Sequence, residues 1–129
     1  MVKKLGIKEG ARFAVLGAPN GFAESLALPK GVNLRREARG HLDVIVFFVT
    51  RRSELVRRFP RLASALEPDG GLWIAWPKKA SGVTTDLNEN IVRQIGLEAG
   101  LVDNKVCAID ETWSGLRFVI RVKDRKAMG

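Results

Sequence analysis

The residues best suited to chemistry in this chain are polar ones that follow an apolar run ending at Trp76. Two lysines, several hydroxyls and a glycine separate that run from an amphipathic segment that starts near Asp86. Ammonium groups, hydroxyls and the free N–H groups of a helix start can together bind a phosphate or a carboxylate, although a solvated loop is the alternative. Their spacing is not the Walker pattern, so nucleoside triphosphate hydrolysis is not predicted. The candidate ligand-binding residues are Trp76, Lys78, Lys79, Ser81, Thr84 and Thr85.

Arg51 is a further candidate because it follows the most apolar run of the chain, residues 44–49. A guanidinium group there could bind an anion through two parallel hydrogen bonds. Surface charge beside a helix start is the alternative interpretation.

Other reactive side chains offer less. Asp110 and Glu111 are adjacent carboxylates that could serve as acid and base or bind a metal, but a polar hairpin loop also explains them, and their side of the sheet is not predicted. His41 is the only histidine and Cys107 the only cysteine, so neither a catalytic triad nor a zinc site is predicted. We predict no catalytic residue and no metal site.

The apolar runs predict the elements that position these residues. Residues 44–49 are six consecutive apolar residues without alternation, which indicates a strand covered on both faces, as in a parallel sheet flanked by helices. Residues 11–17 and 72–76 predict two more buried strands, and residues 32–38 a weak one. Residues 68–71 predict a tight turn, since they combine proline, aspartate and two glycines.

Helical periodicity predicts the remaining covering elements. Ser53 is expected to cap a helix whose apolar residues share one face, with a kink or break at Pro60. Asp86 and Glu89 have the spacing of a capping box before a second helix that ends at Gly100. Residues 22–28 predict a short helix, and residues 105–109 with 116–122 a hairpin suited to a sheet edge.

Alternating strands and helices predict a fold class: a single α/β domain with three layers, Rossmann-like, having a mostly parallel sheet and a C-terminal antiparallel hairpin. Residues 1–4 and 124–129 are expected to be flexible. The chain has 129 residues, which suits one core, and no run long enough to span a bilayer. One cysteine and no secretory signal favour the cytoplasm. The net charge of +8 favours anionic partners, including nucleic acid, or serves solubility alone.

The order of elements resembles a class I methyltransferase domain with its front trimmed. Residues 8–10, 43–45 and 66–72 are similar to landmarks of that superfamily, and so is the final hairpin. The resemblance implies S-adenosylmethionine as a cofactor, with Gly17, Asn20 and Gly21 beside its methionine part. Glu37 lies 20 residues after Gly17, where a carboxylate would bind ribose hydroxyls. A plain turn and a surface glutamate are the alternative, and Pro19 removes one N–H donor from the loop.

A second resemblance covers more of the chain. The sequence is similar to a small bacterial family of unknown function in five strings, residues 5–8, 16–19, 76–82, 86–88 and 106–116. This resemblance implies a bacterial source and no particular activity.

Three functions follow as hypotheses. The first is a non-catalytic module that binds a small anionic ligand or a protein partner. The second is an S-adenosylmethionine-dependent methyltransferase or a decayed relative. The third is weak nucleic-acid binding through the basic surface, which would fall steeply with salt.

Overall fold

The structure of the chain is a computed structural model that describes residues 1–128. Its six strands are β1 (Arg12–Leu16), β2 (Asn33–Arg35), β3 (Leu42–Phe48), β4 (Leu66–Pro77), β5 (Leu101–Ala108) and β6 (Trp113–Ile120). Its helices are α1 (Val2–Leu5), α2 (Phe22–Ser25), α3 (Arg52–Ser64), α4 (Glu89–Glu98) and α5 (Val122–Met128), with one 3₁₀ turn at Lys79–Ser81.

The strands form one sheet in the order β2-β1-β3-β4-β6-β5. The pairs among β2, β1, β3 and β4 are parallel, whereas β6 is antiparallel to both β4 and β5. The predicted fold class is therefore confirmed, including the common direction of the three buried strands. The hairpin prediction is also confirmed, with β5 as the outer strand and β6 inside the sheet.

The sheet is covered on both faces, as the apolar run at residues 44–49 predicts. Ile45 and Phe47 belong to a core cluster shared with α3 and α4, while Val44 and Val46 belong to a second cluster on the other face. Trp73 is fully buried in the second cluster, and its indole N–H donates a 3.1 Å hydrogen bond to the Leu5 carbonyl. That bond fixes α1 to the middle of the sheet.

Several local predictions are wrong for identifiable reasons. Residues 68–71 do not form a tight turn: they lie in β4, where a bulge lets Leu66 pair with Leu42 and Gly71 with Val44. Ser53 does not cap α3, because the helix begins one residue earlier, at Arg52. The helix is continuous through Pro60, so the predicted break is absent, while the alternative of a kink stays a prediction.

The chain ends also differ from expectation. Residues 2–5 and 122–128 form α1 and α5, where the sequence predicts no helix. The expected flexibility of residues 1–4 and 124–128 stays a prediction, and Gly129 lies outside the described residues. Among the helices of residues 1–128, none is both long and apolar enough to cross a membrane.

Candidate functional site

The carboxyl ends of the parallel strands define one edge of the sheet, which we call the carboxyl rim. β1, β3 and β4 end there at Leu16, Phe48 and Pro77. Because Trp113 at the start of β6 pairs with Pro77, the loop between β5 and β6 lies on the same rim. Residues 78–82, which follow β4, are called the lysine segment. The Lys78 N–H donates a 2.8 Å hydrogen bond to the Thr112 carbonyl and so joins this segment to the β5–β6 loop. The rim is where ligands bind in open α/β sheets.

A cleft of about 480 Å³ lies on the rim, after the end of β3, and we call it the rim cleft. The Thr85 hydroxyl donates a 2.6 Å hydrogen bond to the Thr50 carbonyl and so ties its two walls together. Three residues predicted from sequence, Arg51, Thr84 and Thr85, lie together in its lining. The full lining is Thr50, Arg51, Ser53, Thr84, Thr85 and Asp86.

Both long helices start with a side-chain acceptor already in place. Oδ1 of Asp86 accepts a 2.7 Å hydrogen bond from the Arg52 N–H at the start of α3. Oδ1 of Asn88 accepts a 2.9 Å bond from the Ile91 N–H and caps α4. The predicted capping box of Asp86 and Glu89 is therefore wrong, because Asp86 serves the other helix. The Thr85 hydroxyl is also engaged, since it donates to the Thr50 carbonyl and accepts a 3.1 Å hydrogen bond from the Leu87 N–H. Arg51 and the Thr84 hydroxyl are therefore the main candidate anion-binding groups of the rim cleft.

The lysine segment lies beside the rim cleft without lining it. Lys78 is half-buried and Lys79 is exposed. The Ser81 hydroxyl donates to the Lys78 carbonyl at 2.6 Å and accepts from the Val83 N–H at 3.2 Å, so it shapes the 3₁₀ turn. Trp76 is only 5% exposed and packs in the core with Ile74. Its position is that of a packing residue.

Residues 17–21, which we call the glycine-rich segment, pack closely on the end of β3. Gly17 has φ +68°, and a Cβ there would lie 2.5 Å from the Phe48 carbonyl oxygen, so only glycine fits without strain. Gly21, with φ +85°, precedes the single turn of α2, and Asn20 is exposed. Gly17, Asn20 and Gly21 do not line the rim cleft.

Three aromatic rings fill the rim beside that segment. The Phe48 ring packs edge to face on Phe22, with 4.8 Å between centroids, and on Trp113, with 5.1 Å. Such contacts stabilise by about 0.5–1.5 kcal/mol each beyond apolar burial. The rings cover the end of β3 on the face where the glycine-rich segment approaches it.

Glu37 lies in a different cleft from the other candidates. Its exposed carboxylate forms a 3.0 Å ion pair with Arg39, and the residue lines a cleft of about 540 Å³ with Leu16. Sequence reasoning missed this second cleft, which we call the arginine cleft, because its residues come from distant segments. The signal available was a set of arginines on the polar side of α3. The full lining is Leu16, Arg36, Glu37, Ala38, Arg39, Arg57, Arg58, Arg61 and Leu62.

Asp110 shapes the loop that carries it. Its Oδ1 accepts hydrogen bonds from the Thr112 and Trp113 N–H groups, both at 2.8 Å, and this Asx turn accounts for the acid at that position. Glu111 is exposed beside it. Within residues 1–128 no three His, Cys, Asp or Glu side chains are grouped closely enough to hold a metal ion.

A third cleft, of about 380 Å³, lies at the opposite edge of the sheet and carries mixed charges. Arg12 beside it bonds to Asp43 at 3.4 Å and Glu67 at 2.8 Å, and these hydrogen bonds raise the pKa of Arg12. Burial lowers the pKa of Arg117, whose side chain lies over Gly71. Asp43, which lines this cleft, is thus held in an ion pair with Arg12.

The chain has the Rossmann-like fold found in S-adenosylmethionine-dependent methyltransferases. It superposes on a SAM-dependent methyltransferase from Aquifex aeolicus with a TM-score of 0.64 at 15% identity, covering 91% of this chain and 86% of that one. It superposes on magnesium protoporphyrin IX methyltransferase from Synechocystis, solved with bound SAH, with a TM-score of 0.62 at 13% identity, covering 92% and 78%. It superposes on the ribosomal protein L11 methylase of Lactobacillus delbrueckii with a TM-score of 0.60 at 15% identity, covering 92% of this chain and 74% of that one. No protein-family model and no curated protein matches the sequence.

Proposed function

We propose that this chain is a non-catalytic module that binds a small anionic ligand in the rim cleft. One observation carries the proposal: Arg51, Thr84 and Thr85, from two separate loops, line one cleft of about 480 Å³ at the edge where Rossmann-like folds bind ligands. The Arg51 guanidinium group and the Thr84 hydroxyl are suitable donors for a phosphate or a carboxylate, while Thr85 holds the wall of the cleft in place through its bond to Thr50.

The same site supports binding rather than catalysis. Asp86 is the carboxylate of the lining, and its Oδ1 is bonded to the start of α3 at 2.7 Å, where the helix dipole offsets part of its charge. His41 directly precedes β3 and therefore lies at the opposite edge of the sheet. His41 is therefore not placed to move a proton at a ligand bound beside Arg51, and Asp86 already serves as the acceptor at the start of α3.

The binding test is a thermal-shift and calorimetric screen of inorganic phosphate, adenosine nucleotides and simple carboxylates. Losing a charge-assisted hydrogen bond costs about 1.5–3 kcal/mol, so Arg51→Ala should weaken binding by roughly tenfold or more. Arg52→Ala is the matched control, because Arg52 is the adjacent exposed arginine and does not line the cleft. Stabilisation by no compound, or equal weakening in both variants, would contradict the proposal.

The lysine segment extends the proposed site. It leads directly into Thr84, so we infer that Lys78 and Lys79 attract the anion before it reaches the cleft. The double variant Lys78→Ala/Lys79→Ala should weaken binding and leave the free energy of unfolding nearly unchanged, as expected of accessible side chains. Trp76→Ala should instead cost about 3–5 kcal/mol of stability, because Trp76 is in the core.

A second candidate function, S-adenosylmethionine-dependent methyl transfer, is supported by the fold likeness. The residues of this chain fit that cofactor poorly. The Phe48 carbonyl occupies the space beside Gly17, and the rings of Phe22, Phe48 and Trp113 fill the adjoining rim. Glu37 is paired with Arg39 in another cleft. Calorimetry with S-adenosylhomocysteine decides between the two candidate functions. No heat at millimolar ligand would reject methyl transfer. Micromolar affinity would reject the non-catalytic module and favour methyl transfer.

A further inference from the structure

The arginine cleft has cationic side chains on both of its walls. One wall is the segment between β2 and β3, and the other is one side of α3. Glu37 is the lone acid in the lining. The arginines are Arg36 and Arg39 on the first wall and Arg57, Arg58 and Arg61 on the second.

The cleft exists because the connection from β2 to β3 is too short to contain a helix. Crossovers between parallel strands usually need about a dozen residues and include a helix. Here residues 36–41 suffice, since β2 is three residues long and Ala14 pairs with both Arg35 and Ile45. The end of β2 is therefore level with Ile45 of β3, and the connection has to run back along the strand direction by only three residues to reach Leu42, where β3 begins. Ala38 packs on the α3-side core, and the space that a crossover helix would fill remains as the cleft.

The charges on the two walls are only partly neutralised. Arg36 lies 3.5 Å from Glu24, Arg39 lies 3.0 Å from Glu37 and Arg58 lies 3.6 Å from Glu54. Their exposed positions make such pairs weak, with Arg36 68% and Arg39 78% exposed.

Two arginines of the helix wall stand out. Within the described part of the chain, neither Arg57 nor Arg61 has a carboxylate oxygen within 4.0 Å. They lie one turn apart, about 6 Å along the helix axis, so their charges repel in the absence of an anion. The neighbouring Arg58 guanidinium lies 4.7 Å from the centroid of the buried Phe47 ring, within the range of a cation–π contact.

We propose that the arginine cleft binds the phosphodiester backbone of single-stranded nucleic acid. Guanidinium groups on two facing walls suit consecutive phosphates, since each binds a phosphate through paired hydrogen bonds. The lining contains arginines and no aromatic ring on which a base could stack, so the contacts are to phosphate. Phosphate contacts carry no sequence information, so we expect binding to be independent of sequence. The net charge of +8 attracts a polyanion to the surface at long range. This site is separate from the rim cleft in its residues and its ligand.

The test is fluorescence anisotropy with labelled single-stranded oligonucleotides of 20 and 4 nucleotides, titrated over a range of salt. The variant is Arg57→Gln/Arg61→Gln, two exposed positions where glutamine retains helix propensity. Each lost phosphate contact reduces the salt slope by about 0.7 for single strands, so the variant slope should fall by about 1.4. At 0.05 M salt this corresponds to roughly 60-fold weaker binding, if the two curves converge at 1 M.

The matched control is Lys105→Gln/Lys123→Gln, which removes the same charge from exposed residues of β5 and α5. Its slope and affinity should remain close to those of the unmodified protein, and circular dichroism should show all three proteins folded. Equal weakening in both variants would overturn the site, because it would show only a general effect of net charge. Absence of binding at 0.05 M salt would overturn the proposal outright.

Inorganic tripolyphosphate separates a strand from a short phosphate ligand. We expect the 20-nucleotide strand to bind much more tightly than the 4-nucleotide strand or tripolyphosphate. The proposal would be refuted if all three ligands bound with equal affinity and all three lost binding in Arg57→Gln/Arg61→Gln. That result would indicate that the ligand of the cleft is a small phosphorylated compound.

Discussion

Asp86 offers a quantitative test of how the rim is built, since its carboxylate caps a helix from which it is separated by 34 residues. Asp86→Ala removes an acceptor that lies 2.7 Å from the Arg52 N–H. Loss of an N-cap side chain costs about 1 kcal/mol, and a carboxylate at a helix N-terminus adds about 0.3–1 kcal/mol. The expected loss in the free energy of unfolding is therefore about 1–2 kcal/mol. In a domain of this size that corresponds to a fall in Tm of roughly 4–8 °C.

Asp86→Asn divides that loss into its parts. The amide oxygen can still accept from Arg52, so this variant should lose only the charge contribution of about 0.3–1 kcal/mol. Asn88→Ala is the matched control, because it removes the cap of α4 and should cost about 1 kcal/mol by the same mechanism at the other helix.

The assays are urea unfolding for the magnitude and amide hydrogen exchange for the location. Asp86→Ala should accelerate exchange in the first turn of α3 and leave that of α4 unchanged, while Asn88→Ala should do the opposite. The reasoning is refuted if Asp86→Ala accelerates exchange at the start of α4 instead. A loss below about 0.3 kcal/mol would refute it equally, since that is less than the charge contribution alone.

Three other predictions concern packing and burial. Gly96→Ala should destabilise by about 1–3 kcal/mol in urea unfolding, because its Cβ would collide with the fully buried ring of Phe118; a neutral effect would show that the ring can move. Trp73→Phe leaves the Leu5 carbonyl without its donor and should cost about 1–3 kcal/mol, whereas a loss near zero would mean that water replaces the indole. Partial burial raises the pKa of the Cys107 thiol, so less thiolate is present near pH 8 and alkylation by iodoacetamide should be slower than in the urea-unfolded chain; equal rates would contradict this.

The layers and strand directions were predictable because they depend on long, strong patterns. The unbroken apolar run of β3 required cover on both faces, and the helical stripe of α3 supplied one of the covers. The same logic placed the ends of β1, β3 and β4 on one rim. The sequence alone therefore predicts that Arg51, Thr84 and Thr85 lie near one another.

Features that depend on a distant partner were not predictable. Asp86 has two possible helices to cap, and only the fold brings it to Arg52 rather than to its own neighbour Glu89. The bulge at residues 67–70 reads as a turn locally, and the longer strand is set by pairing with β3. The arginine cleft depends on the place where β2 stops, which no local signal specifies. The same holds for any ligand-binding residues that are distant in sequence and are brought together only by the folded sheet, because no local pattern identifies them.

The position of β6 has a consequence for the synthesis of the chain. This strand is made after the other five, yet it lies inside the sheet between β4 and β5. Until β6 leaves the ribosome, the backbone edge of β4 from Leu72 to Pro77 has no partner strand, and such an edge is a template for aggregation. A premature stop before Trp113 would thus remove an interior strand from an otherwise nearly complete domain. The nascent chain would need a chaperone, or rapid synthesis of β6, until that strand emerges from the ribosome.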